Sequence, residues 1–195
     1  MITWLEGWNI SSTFVDAARG GFTNAIPPLV WLGADIHTQN DIGLRLAAME
    51  GNAATLKLLL DYGANIHAAH DDALRLASIY NRTDTLTLLL DRGANVHALN
   101  DQALQLAATE GRTNIVQMLI DRGADVHADD DASLRLASDA GNTETVAVLL
   151  NHGANIHARG DAALLMAEQN GHPSTAIFLR SWAARFPRVA TPVLR

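Results

Sequence analysis

Residues 100–129 read NDQALQLAATEGRTNIVQMLIDRGADVHAD, and the chain repeats this unit on both sides. Complete copies span 40–69, 70–99, 100–129 and 130–159, each 30 residues long. Self-similarity at a fixed period decides the fold before any local propensity does, because a unit too small to bury a core alone buries one against its neighbours. Within the unit, Leu104, Leu106 and Ala107 mark the apolar side of a first helix. Val116, Leu119 and Ile120 fall at the i, i+3, i+4 spacing of a second. The pattern predicts Asp41, Asp71, Asp101, Asp131 and Asp161 as N-caps of first helices, and Thr83, Thr113 and Thr143 as N-caps of second helices. First helices stop at Gly51, Asn81, Gly111, Gly141 and Gly171. Asparagine is the usual substitute for glycine in a left-handed turn, so this column reads as a C-cap.

The ends depart from the unit. Residues 10–39 keep the register but replace the leucine-rich second helix with IPPLVWL, where Pro27 and Pro28 require that helix to start late or break. From residue 160 a second divergent copy begins, with Pro173 suited to a first helical turn. All four tryptophans and all four phenylalanines lie within residues 4–31 or 178–186, as expected of two closing caps. The domain reading is an N-terminal segment, 1–12, packing on the first cap; an array over 13–180; and a basic tail, 181–195.

Charge and composition narrow the function classes. The chain of 195 residues carries a formal charge of −7, and Lys57 is its only lysine. Residues 1–179 hold 10 cations and 21 acids, or −11, and the last 16 residues hold four arginines, or +4. An acidic body argues against nucleic acid and anionic membrane as partners. Without cysteine there is no disulfide, zinc-thiolate site or thiol nucleophile. MITWLEGWNI, at residues 1–10, does not read as a signal peptide, and no apolar run reaches membrane-spanning length.

Five pentapeptides 30 residues apart, GADIH from Gly33 to GANIH from Gly153, end in His37, His67, His97, His127 and His157. Stacked helical units lie about 8–10 Å apart, whereas zinc holds imidazole nitrogen at about 2.0–2.1 Å. One histidine per unit therefore cannot close a shared metal site, and the column reads as loop joints. The acids of ADDDA, Asp129–Asp131, lack the spacing of a calcium loop. Arg45, Arg75 and Arg135, four residues after the aspartates, read as their i, i+4 partners. There is no phosphate loop, HExxH or GxSxG motif. No catalytic residue, metal or cofactor is assigned.

LAAMEGNAATLKLLLDYGANIHA, residues 46–68, carries a family resemblance. The Leu-Ala-Ala, the glycine stop, the leucine run and Gly-Ala-Asp/Asn-Val/Ile occur in the order of the ankyrin repeat. The likeness covers residues 10–180. The usual ankyrin unit has about 33 residues, so the projecting finger is trimmed here, and GLRL, ALRL, ALQL or SLRL replaces Thr-Pro-Leu-His. Such short-looped repeats are similar to those of large DNA viruses and some bacteria. The resemblance implies an all-α ankyrin-repeat solenoid of stacked helix-turn-helix units with shortened loops. It also implies a protein partner on the concave face formed by loops and first helices. Carried onto this chain, that face presents Ile42, Met49, His70, Ile79, Tyr80 and Leu99, then an acidic flank with Asp129, Asp130 and Asp139. The expected protein is a non-enzymatic, monomeric recruiter or adaptor acting in the cytoplasm, its own or a host's. The alternative is an inhibitor or immunity-type protein that blocks an enzyme through the same surface.

Overall fold

The computed structural model describes residues 9–185. Trp4, Trp8, Phe186 and the end of the basic tail lie outside the described residues. Among the described residues every regular element is helical: α1 Ile10–Arg19, α2 Ile26–Trp31, α3 Thr38–Glu50, α4 Ala53–Asp61, α5 Ala68–Ile79, α6 Thr83–Asp91, α7 Ala98–Thr109, α8 Thr113–Asp121, α9 Ala128–Asp139, α10 Thr143–Asn151, α11 Ala162–Gln169 and α12 Pro173–Ala183. The chain divides into two units, Met1–Leu99 and Asn100–Arg195. In the first, α1, α3 and α5 pack side by side, and each is backed by its own second helix. In the second, α9 packs on α11, while α8, α10 and α12 form the parallel row of second helices.

The core is a repeated set of small and branched side chains. Leu44, Ala47, Leu56 and Leu59 are fully or almost fully buried, as are their counterparts Leu104, Ala107, Val116 and Leu119. Burying one such leucine contributes about 2 kcal/mol, so each unit gains most by having a neighbour on both sides. Ile115 is buried, while Ile120 and Leu106 are only half-buried.

The helix stops form as the sequence leads one to expect. Gly51, Gly111, Gly141 and Gly171 all have positive φ, and Asn81 adopts the same left-handed turn at φ +57°. Pro27 and Pro28 occupy the first turn of α2, which a 3-10 turn at Thr23–Ala25 delays and which is only six residues long. Pro173 opens α12. The aromatic caps are one-sided: Phe14 is fully buried, but Phe22 is 65% and Trp31 84% exposed. Phe178 and Trp182 stack tilted at 5.8 Å, with Arg185 over the Trp182 ring.

Three sequence expectations are corrected: the next repeat claims the aspartates, two of the threonines and Arg45, while Arg75 and Arg135 turn to their own loops. The aspartates do not cap their helices. Each ends a run of three residues in the left-handed region, such as Ala69, His70 and Asp71 at φ +52°, +57° and +58°. That run replaces the trimmed finger and turns the carboxylate inward. Asp41 Oδ1 accepts from the backbone N–H of Asn65 at 2.9 Å and lies 3.0 Å from His37 Nδ1. Asp71 does the same with Asn95 at 2.8 Å and His67 at 3.0 Å. The threonines are not caps either: Thr113 and Thr143 pair their hydroxyls with Thr145 and Thr175 one repeat on, at 2.9 and 2.7 Å. Nor do the arginines pair with the aspartates four residues before them. Arg45 reaches Asp72, Arg75 also takes Asp72, and Arg135 donates to the carbonyls of Asp129 and Asp130.

Candidate protein-binding surface

The histidine column resolves into structural joints. In the first unit, Asn65 donates its N–H to Asp41 and accepts from the His67 N–H; His67 Nδ1 meets Asp71, which takes the Asn95 N–H. The second unit repeats the chain through Asp101, Asp125, His127, Asp131, Asn155, His157 and Asp161. Among the described residues no three His, Cys, Asp or Glu gather as a metal would need. The buried carboxylates Asp41, Asp71 and Asp131 each hold two loop groups on Oδ1.

The outward face of the first helices has a different character. On α3, Ile42, Arg45 and Met49 share one side at helical spacing; on α5, Asp72, Arg75 and Ile79 share the equivalent side. Ile42, Met49 and Ile79 are half-buried and His70 is exposed. Tyr80, at the end of α5, is 46% exposed, and Leu99, in a left-handed turn at φ +52°, is 48% exposed. The corresponding positions for Tyr80 hold Glu50, Glu110, Ala140 and Asn170, so the stack itself does not require an aromatic ring there.

Between the two apolar rows sits a charged cluster that sequence reading missed. Asp72 takes Arg45 Nε on one oxygen and Arg75 Nη2 on the other, both at 2.6 Å. Arg75 is further fixed by the Ala69 carbonyl at 3.1 Å. The apolar surface expected from sequence is therefore divided by two guanidiniums sharing one carboxylate.

In the second unit the acids of the expected flank have partners but stay open to solvent, with Asp129 53% and Asp130 68% exposed. Asp130 Oδ2 accepts from Arg159 Nε at 3.1 Å, and Asp129 Oδ1 from Arg159 Nη2 at 3.2 Å. Asp139 is half-buried and accepts from the Asn170 amide at 2.5 Å. Other exposed apolar side chains escaped the sequence reading: Leu32 at 41%, Tyr62 at 42% and Leu165 at 48%. A signal was available for all three. Leu32 and Tyr62 share a column with Arg92, Arg122 and His152, and Leu165 one with Arg45, Arg75 and Arg135.

These paired helices, left-handed stops and looped returns define a helical-repeat protein that presents a continuous row of side chains per element. A family model for ankyrin repeats (three copies) matches residues 14–100, 44–130 and 104–187. The chain belongs to the ankyrin-repeat family, a fold of protein–protein interaction modules that is typically non-enzymatic. No curated protein matches it significantly. Among the described residues, no helix is long and apolar enough to cross a membrane.

Proposed function

We propose that this chain is a non-enzymatic binding module that holds a protein partner on the first-helix face around Met49, Ile79, Tyr80 and Leu99, as a recruiter or adaptor. One observation carries the reading. Tyr80 and Leu99 are nearly half-exposed at positions that the stack fills elsewhere with polar or small residues. Exposed aromatic and aliphatic groups clustered on one face favour an interface over a solvated surface. Ile42 and His70 border this centre. A cytoplasmic setting, its own or a host's, and a monomeric state belong to the same reading. The monomer is supported by the polar pair Arg180–Glu168 on the last repeat, at 2.6 Å.

The alternative, an inhibitor that meets a basic active-site rim, needs free acids at Asp130 and Asp139. Arg159 offsets the charge of Asp130 and Asn170 takes one oxygen of Asp139, so the patch is weaker than the row of acids suggests, which favours the recruiter.

The test is a quantitative pull-down with the wild type and a Tyr80→Ser/Leu99→Ser variant. Both side chains are about half in water, so the melting temperature should correspond to a loss within about 1 kcal/mol. Partner retention should fall by an amount equivalent to about 2 kcal/mol or more. Equal retention by both proteins would move the binding surface elsewhere.

A further inference from the structure

We infer that the first-helix face of residues 42–80 selects a partner segment in which a carboxylate stands next to a large apolar side chain, with Arg45 as the carboxylate's seat. This rests on the binding surface proposed above and specifies what it recognises.

The arginines of one sequence column have been given different tasks. Arg135 is buried and closes its own loop by donating to Asp129 O at 2.9 Å and Asp130 O at 3.3 Å. Arg75 is fixed by Asp72 and by the Ala69 carbonyl. Arg45 makes one hydrogen bond among the described residues, from Nε to Asp72 Oδ2 at 2.6 Å, and its terminal nitrogens stay open. Its side chain is 24% exposed, against 15% for Asp72 and 15% for Arg75. The guanidinium is thus pre-oriented by one bond, partly withdrawn from water, and still has its outer edge for a second acceptor.

Charge complementarity points to the occupant. Arg45, Asp72 and Arg75 sum to +1 on a chain whose overall formal charge is −7. A single residual positive charge matches one carboxylate better than a dianionic phosphate. A planar guanidinium edge also matches carboxylate geometry, and charge-assisted hydrogen bonds in partly desolvated sites are stronger than exposed ion pairs. The apolar neighbours then follow from helical spacing. Ile42 lies three residues before Arg45 on α3, Met49 four after it, and Ile79 four after Arg75 on α5, with Tyr80 beside it. A side chain adjacent to the bound carboxylate would meet these groups.

Selection from a displayed library of short random peptides tests this, run in parallel on the wild type, on Arg45→Gln and on Tyr80→Ser/Leu99→Ser. Wild-type selectants should be enriched in Asp or Glu next to Leu, Ile, Met or an aromatic residue. Arg45→Gln should keep the apolar preference and lose the acidic one. A synthetic selectant should bind Arg45→Gln about tenfold more weakly than wild type, the size of a charge-assisted hydrogen bond. Its Asp→Asn form should lose the same factor on wild type and little more on Arg45→Gln. That peptide-side arm leaves the protein's own fold untouched, and Arg45→Lys, which keeps the charge without the fork, should fall between.

Apolar selectants with no acidic enrichment, or equal additive losses from the two changes, would overturn the carboxylate seat and leave the surface standing. Selectants that bind the Tyr80/Leu99 variant undiminished, or none at all, would sink the surface and the seat together.

Discussion

Asp71 shows how much one side chain carries here. It is 5% exposed, sits at φ +58°, and accepts from the Asn95 backbone N–H while touching His67 Nδ1. Asp71→Asn keeps a residue that tolerates the left-handed region and an oxygen for Asn95, so it should cost about 1 kcal/mol. Asp71→Ala strands the Asn95 N–H as well, and should cost about 3 kcal/mol in urea unfolding. Equal losses would mean that the joint is held by packing. A second residue-scale defect lies at Thr85, whose hydroxyl is buried without a partner. Its counterparts Thr55, Thr145 and Thr175 bond to Thr23, Thr113 and Thr143, each 32 residues earlier, whereas position 53 holds alanine. Ala53→Thr should raise stability by about 0.5–1.5 kcal/mol by supplying that hydroxyl. An unchanged or lower melting temperature would show that the pair adds nothing.

At the scale of the element, the left-handed stop of each first helix does two jobs that substitution can separate. Gly111 and Gly171 stand at equivalent positions with φ +63° and +73°. A Cβ at Gly111 would lie 2.7 Å from Asn142 Oδ1, and one at Gly171 would meet nothing within 4 Å. The Asn142 amide donates to the carbonyls of Ala108 and Thr109 at 3.0 and 2.8 Å, covering the end of α7 from the following repeat. Gly171→Asn should therefore change stability by less than about 0.5 kcal/mol, because asparagine accepts this backbone. Gly111→Asn should cost about 2 kcal/mol by displacing the amide from its acceptors. Similar losses at both sites would assign the glycine column to backbone conformation alone.

At the scale of the whole molecule, the last described repeat departs from the inner ones. Ala48, Ala108 and Ser138 are fully buried where a further repeat follows, and in the second column Leu60, Leu90 and Ile120 are half-buried and Leu150 buried. In the last repeat the same columns hold Glu168 and Arg180, bonded to each other at 2.6 Å and well exposed. A polar outer face on the terminal unit keeps a repeat protein soluble. Replacing the pair with Glu168→Ala and Arg180→Leu restores the internal pattern on an open end. Analytical ultracentrifugation should then show stronger concentration-dependent association than the wild type has. A double variant that associates no more than the wild type would show that other residues cover that face.

The sequence by itself determined the period, the two helices per unit, the left-handed glycine and asparagine stops and the late start of the Pro27–Pro28 helix. Each of these is written in a short window, through apolar spacing, φ preference or a missing N–H, and then copied. Tyr80 and Leu99 were legible too, as large apolar residues in columns that are otherwise mostly polar or small. Only the tertiary structure decided the partners of the aspartate, threonine and arginine columns. Asp41 meets the backbone 24 residues on, Thr113 a hydroxyl 32 on, and Arg45 a carboxylate 27 on. Identical residues in one column then take different roles: Arg45 reaches Asp72 of the next repeat, Arg75 takes that same Asp72 three residues before it, and Arg135, with Ala132 in that place, closes its own loop.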